Sequence, residues 1–560
     1  MKWNWYFVGF IVCVLFSSAI ARGQPAENSV SVDRLFADWD RKDSPGCVVL
    51  VRQDGKTIHQ RAFGAADLEL GVPLSLSSVF LLASVSKQFL VFCIMLLAQG
   101  GRISLDDDVR KYVPEVPDFG KTITIRHLIH HTSGLRECFT CHMLGGWRGE
   151  DLVTRDDFLH FVKNQKELNF DPGAQYLYCN TGYHLLAIVV ERVAKQPMPE
   201  FAHDKIFGPL GMNASTVRDD HRTLIPNLAV PYLTKFNPTD RGRIDFQLAR
   251  VAHDPPGASN IHSTVGDLAL WDQNFYDATI GNKQLLDAMQ TKTKLNSGKE
   301  IKYAGGLMID TYRGLKTVAH TGSHGGFKTV ILRFPDQRFS VIVLANLRDM
   351  VPLRIAKKVA DIYLSDRLEP QTTPVPIGLA GYLLDEFKGD YRFGYSLWRV
   401  GQDKQGLFVQ ANSNEKKRLL PSTPAEFFDR EDGMRYRFVK KKNDLILETS
   451  VEKQATVGKR LRPVEPPPGK LAELVGTYRS SELGAIGAIE VRGGKLVLQM
   501  PKIEATLQFF GNGECIARPK DAFYSMLALN FTKNHVGMVD GYNLSTERVR
   551  NLRYAKVRTD

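Results

Sequence analysis

Ser84 and Lys87 stand three positions apart in Ser84-Val85-Ser86-Lys87, at the head of the apolar run Phe89-Leu90-Val91-Phe92-Cys93-Ile94-Met95-Leu96-Leu97-Ala98. Three positions is about one helical turn, so the hydroxyl and the amine share a face. A serine at a helix N-terminus feels the positive end of the helix dipole, which favours developing alkoxide. A lysine desolvated by the run behind it loses part of its preference for the charged form and can take the serine proton. By itself the pattern is weak, because a capping serine one turn from a surface lysine reads the same way. The apolar run tips it towards a buried, working pair.

Two further segments carry complementary chemistry. Tyr178-Cys179-Asn180 follows Phe170-Asp171-Pro172-Gly173 and precedes Thr181-Gly182-Tyr183. A phenol beside an ammonium is expected to have its pKa pulled down, so Tyr178 can relay a proton to a leaving group. The Asn180 amide can donate to and accept from a substrate amide. In His320-Thr321-Gly322-Ser323, followed by Gly325-Gly326-Phe327, a strand edge can aim backbone N–H groups at a substrate carbonyl, and glycine permits close approach.

Taken together, the three motifs resemble the serine β-lactamase and penicillin-binding superfamily, with its Ser-x-x-Lys and Lys-Thr-Gly signatures. Order and spacing are similar to class C β-lactamases, related carboxylesterases, DD-carboxypeptidases and D-aminopeptidase. The phrases His131-Thr132-Ser133-Gly134-Leu135, Leu105-Asp106-Asp107-Asp108-Val109 and Phe334-Pro335-Asp336 also fit, and the likeness covers roughly residues 35 to 365. It implies Ser84 as acylated nucleophile, Lys87 as activating partner and Tyr178 as general base and acid. It further implies Asn180, His320, Thr321 and Gly322 as substrate-binding, with the backbone N–H groups of Ser84 and Ser323 as oxyanion hole and no metal or cofactor. β-Lactams are implied as acylating ligands, and small peptides or esters, peptidoglycan-derived ones included, as substrates. One departure stands out: His320 takes the place of the motif's usual lysine. Imidazole is mostly neutral near pH 7, so recognition should lean less on a carboxylate and β-lactamase activity should be weak or absent. The rival reading is a penicillin-receptor-like protein that binds cell-wall ligands with little turnover.

The remaining elements must position those residues. Gly46-Cys47-Val48-Val49-Leu50-Val51 reads as a buried strand, Asp54-Gly55 as a hairpin turn and Thr57-Ile58-His59-Gln60 as the partner strand. Thr329-Val330-Ile331-Leu332 and Phe339-Ser340-Val341-Ile342-Val343-Leu344 read as late strands around a Pro335-Asp336 turn. Helical patterns fill the interval, so one α/β domain is expected whose sheet joins both extremities. The fold class implied is β-lactamase-like: an antiparallel sheet flanked by helices, with a mostly helical subdomain. His253, Asp254-Pro255-Pro256-Gly257 and Gly266-Asp267-Leu268-Ala269-Leu270-Trp271 read as structural.

Near residue 370 the pattern changes to short alternating strands after a linker, Gln371-Thr372-Thr373-Pro374-Val375-Pro376. Phe387-Lys388-Gly389-Asp390-Tyr391-Arg392 recurs as Leu474-Val475-Gly476-Thr477-Tyr478-Arg479, an offset of 87 residues punctuated by Pro466-Pro467-Pro468-Gly469. Units of this length can close into small barrels, and the repeats resemble the lipocalin-like barrels that follow the catalytic domain of D-aminopeptidase. One larger sandwich is the alternative. The division expected is 1–21 signal peptide, 22–370 hydrolase, 371–465 first barrel and 466–560 second barrel. Aromatic residues of the repeats should fill barrel interiors, and a barrel loop could reach the hydrolase cleft and restrict the substrate.

Composition bounds the rest. The 560 residues are 43% hydrophobic and 24% charged, globular in character and too long for one core. A net charge of +12 would suit anionic partners, yet the densest basic runs, Lys416-Lys417-Arg418 and Lys440-Lys441-Lys442, are short, which speaks for solvated faces and against nucleic acid. Met1-Lys2, an apolar stretch from Trp5 to about Phe16 and Ala19-Ile20-Ala21 form a signal peptide by pattern, cleaved after Ala21. No later segment reaches the roughly 18 apolar residues of a span. An exported protein, free of the membrane once cleaved, is expected. Of seven cysteines only Cys138 and Cys141 are close enough in sequence to suggest a disulfide. Cys138-Phe139-Thr140-Cys141-His142 also matches a haem-attachment pattern, which nothing around it supports.

Overall fold

The computed structural model describes residues 27–236, 244–370, 374–379, 381–411, 416–431, 433–442, 444–451, 454–511, 514–519 and 526–557. The signal-peptide pattern and the first half of the linker lie outside them. At the centre is a six-stranded antiparallel sheet in the order β3-β4-β5-β6-β1-β2. Its strands are β1 (Cys47–Gln53), β2 (Lys56–Phe63), β3 (Met308–Tyr312), β4 (Leu315–His324), β5 (Phe327–Phe334) and β6 (Phe339–Ala345). β1 runs against β6 from Cys47 opposite Ala345 to Gln53 opposite Phe339. The two ends of this domain are therefore stitched together in mid-sheet, as the late strands imply.

β1 has no polar residue from Cys47 to Val51 because both its faces are covered. Val48 and Leu50 point into the large core shared with α1 (Lys87–Gln99) and α3 (Asn180–Ala194). Cys47, Val49 and Val51 point the other way, into a second core under α5 (Pro352–Tyr363). At about 1.5–3 kcal/mol for each fully buried aliphatic side chain, these two layers fix the register of the sheet. α4 (Val265–Asp277) locks α1 in place: Trp271 stacks on Phe89 at 4.3 Å between centroids and donates to Gln88 Oε1 at 2.7 Å. Among the described residues no helix is long and apolar enough to cross a membrane.

Beyond residue 380 come two nine-stranded antiparallel sheets, spanning Gly389 to Arg460 and Pro463 to Lys556. The repeat read from the sequence marks the same place in both. Tyr391 and Tyr478 are fully buried, and each hydroxyl donates to the carbonyl four residues earlier, Phe387 at 2.8 Å and Leu474 at 2.7 Å. Gly389 and Gly476 both sit at φ near +147, where a side chain would press on Arg460 and Lys556. The second sheet closes on itself, Ile503–Phe510 pairing with both Lys495–Met500 and Cys515–Ala517. In the first, the edge strands Lys417–Arg418 and Leu420–Pro421 are neighbours in sequence and do not pair with each other. It is a near-barrel.

Candidate active site

The nucleophile turn is held from three sides. Ser84 lies in a short 3-10 turn, Ala83–Ser86, that leads into α1, and Ala83 adopts a left-handed φ of 50. β4 presses on this turn so closely that a side chain at Gly322 would overlap Thr329 Oγ1 and the Leu82 carbonyl. Thr329 Oγ1 itself donates to Leu82 O at 2.7 Å. Glycine at 322 is thus what lets the strand bearing Ser323 approach Ser84.

Lys87 is the first residue of α1 and has no solvent exposure. Its Nζ lies 3.1 Å from Ser84 Oγ, 2.9 Å from Asn180 Oδ1 and 2.7 Å from Ala258 O. Burial pushes its pKa well below the usual lysine value, and the charge of Arg548 adds to that push while Glu137 opposes it. An uncharged amine has two N–H groups and one lone pair. The carbonyls of Asn180 and Ala258 can only accept, so they take the two N–H groups and the lone pair is left facing Ser84. Asn180 is oriented for this by Glu137, whose Oε1 accepts from Asn180 Nδ2 at 2.7 Å while its Oε2 caps α2 (Cys138–Leu144) at Thr140 N, also 2.7 Å.

Tyr178 arrives on a loop zipped to the His131–Gly134 phrase. Leu177 N, Gly173 N and Asn169 N donate to the carbonyls of His131, Thr132 and Gly134 at 2.9, 2.8 and 2.7 Å. The His131 ring packs on Tyr178 at 4.1 Å and its Nδ1 accepts from Cys179 N at 3.1 Å. The phenol hydroxyl is out of solvent, next to the Ser84 hydroxyl and without a well-directed hydrogen bond. Its pKa is raised, not lowered as the motif suggests: burial outweighs both the Ser84 contact and the Arg548 charge. A lowered phenol pKa requires an ammonium at Lys87, and that lysine is itself driven towards the neutral form.

The third motif is placed as expected but is chemically self-contained. Burial lowers the His320 pKa to about 3. Its Nδ1 lies 2.7 Å from Thr321 O and its Nε2 lies 3.0 Å from Tyr303 OH, so neither nitrogen is free for a substrate. His320 lines the cleft with its ring nitrogens held by the protein, so it presents no free cation there. Thr321 and Ser323 face the open cleft of about 2710 Å³ that Ser84, Tyr178, Asn180 and Arg548 also line.

The beta-lactamase family model matches residues 32–363, more than half of the chain. The chain belongs to the beta-lactamase family. Ser84, Lys87, Tyr178, Asn180 and His320 of this beta-lactamase family protein all fall inside the matched span, and Arg548 outside it. Among curated relatives, penicillin-binding protein 4* of Bacillus subtilis is 26% identical, covering 72% of this chain and 92% of its own. A D-aminopeptidase of Cereibacter sphaeroides (strain ATCC 17029 / ATH 2.4.9) is 28% identical over 65% of this chain and 67% of its own. Among solved structures, the octameric penicillin-binding protein homologue from Pyrococcus abyssi superposes with a TM-score of 0.55 at 24% identity, covering 77% of this chain and 99% of that one. D-amino acid amidase from Ochrobactrum anthropi gives 0.50 at 20%, over 61% and 99%. At those identities the superpositions speak for the fold alone. Family members are serine hydrolases, and this chain is an enzyme of that type.

Four contributors carry no motif in the sequence. Ala258 follows the Asp254–Gly257 turn, where Gly257 at φ 114 tucks against Tyr183 O. Glu137 adjoins a motif phrase and Tyr303 stands alone, so only their burial reveals them. Arg548, from the second barrel, fulfils the expectation of a barrel loop at the cleft, though no motif marks it: its guanidinium carbon lies 5.0 Å from the Tyr178 ring centroid. Cys138 and Cys141 are free thiols, packed 1% exposed within α2, so the disulfide their spacing suggests does not form and a thioether-linked haem has no room.

Proposed function

We propose that the protein is an exported hydrolase that forms an acyl-enzyme on Ser84 and cleaves esters or amides, D-residue-containing peptides in particular. The observation that carries this reading is the fully buried Lys87, 3.1 Å from Ser84 Oγ with its N–H groups committed elsewhere. Lys87 takes the proton as Ser84 Oγ attacks the carbonyl carbon, and the oxyanion faces the backbone N–H groups of Ser84 and Ser323. Tyr178, held as a neutral phenol, gives its proton to the leaving oxygen or nitrogen and recovers one from Lys87. Water then attacks the acyl ester and the same groups run in reverse.

The D-aminopeptidase and penicillin-binding relatives support a peptide or peptidoglycan-related substrate. The N-terminal pattern supports export, and a mature N-terminus at Arg22 would be its mark. The direct test is hydrolysis of p-nitrophenyl acetate and D-alanyl p-nitroanilide by wild type and Ser84→Ala. The variant should lose at least about a thousandfold in kcat/KM. Equal rates in the two proteins would refute the reading.

A further inference from the structure

Neither basic side chain of the hydrolase domain's Ser-x-x-Lys and His-Thr-Gly motifs is free to meet a substrate anion. Lys87 is consumed by Ser84, Asn180 and Ala258, and His320 is neutral and doubly engaged. The second barrel supplies a cation instead. Arg548 sits half-buried on the loop between the strands Val539–Ser545 and Leu552–Lys556, lies over Tyr178 and lines the same cleft as Ser84. Among the described residues no carboxylate pairs with its guanidinium. Its charge is felt by Lys87, His131, Tyr176 and Tyr178 alike, which places it at the centre of the constellation.

The loop is held as a site residue's backbone should be. Thr546 Oγ1 accepts from Arg548 N and Val549 N at 3.2 Å each. Asn169, at the base of the Tyr178 loop, accepts from Arg550 N at 2.8 Å and donates to Arg548 O at 3.4 Å. Below it, Arg136 donates to Arg550 O and, with both sides of its fork, to Glu482 of the barrel. A guanidinium carried on a backbone fixed this way, with no carboxylate partner among the described residues and facing a cleft, offers the planar two-pronged geometry that matches a carboxylate.

Resting on the Ser84 reading above, we propose that Arg548 is the anion-recognising residue of the active site and that the preferred substrates carry a free carboxylate beside the scissile bond. The same charge repels an ammonium there, so cleavage next to a C-terminal carboxylate is favoured over cleavage next to an N-terminal amine. The barrel thereby restores, from another part of the chain, the cation that His320 does not provide.

The test is a matched pair, N-acetyl-D-alanyl-D-alanine and its C-terminal amide, with p-nitrophenyl acetate as a report on the Ser84 machinery. Wild type should prefer the acid over the amide by about tenfold or more in kcat/KM, as one charged hydrogen bond implies. Arg548→Gln should erase that preference, chiefly by raising KM for the acid, and Arg548→Lys should keep part of it. A folding defect lowers both substrates together, whereas lost recognition moves their ratio. A ratio unchanged in Arg548→Gln, or a wild type that prefers the amide, overturns the assignment while the Ser84 reading stands. A wild type inert even towards p-nitrophenyl acetate removes both.

Discussion

Tyr391 and Tyr478 do the same job in the two C-terminal sheets, yet the surroundings of those sheets differ. In the first sheet, Tyr391, Phe427 and Phe438 form a core of their own. In the second, Tyr478, Tyr542 and Tyr554 belong to one continuous apolar cluster with the hydrolase core. The first sheet leans on the second through a small apolar patch and the Asp390–Arg518 pair, 2.5 Å at its nearest, and touches the hydrolase through the exposed Arg354–Glu431 pair. The second is bolted on by Arg136–Glu482, 2.6 Å apart with side chains 0% and 5% exposed. A duplicated unit has thus taken two roles, and the difference lies in loops and docking residues rather than in the strands.

That contrast can be broken experimentally. Arg136→Ala strands the buried Glu482 carboxylate and should destabilise the protein by about 3–5 kcal/mol, read as a lowered calorimetric midpoint. It should also lower activity, because Arg136 precedes Glu137 and holds the Arg548 loop. Glu431→Ala removes the corresponding contact of the first sheet and should cost no more than about 1 kcal/mol, with activity untouched. Similar losses from both would mean that the two sheets are docked alike. The smallest effects sharpen the shared part of the comparison: Tyr391→Phe and Tyr478→Phe should each cost about 1 kcal/mol, and the two costs should agree. A clear inequality would show that the repeat is not one structural unit used twice.

What could be read in advance follows the range of the forces involved. The hairpin at Asp54-Gly55, the all-apolar β1 and the Pro335 turn are local patterns, and they formed as read. Ser84, Lys87, Tyr178 and Asn180 were legible because each sits in a short motif with its own local geometry. The pKa of Tyr178 lies on the opposite side from what its motif suggests, because desolvation depends on everything packed around a group and no motif records that. Glu137, Ala258 and Arg548 act across the fold, from 43 to 370 residues away from the groups they serve. Arg548 in particular is an ordinary arginine in an ordinary loop until the second barrel is docked.

Everything chemical here depends on Ser84 being activated by Lys87, whose buried amine is held well below the ordinary lysine range. The most direct measurement is the pH dependence of labelling by a fluorophosphonate, with the adduct located by peptide mass mapping. The account predicts one adduct per chain, on Ser84, at a rate that levels off well below the ordinary lysine titration near 10.4. An adduct on a different residue, or a labelling rate that keeps climbing through pH 10, would contradict it.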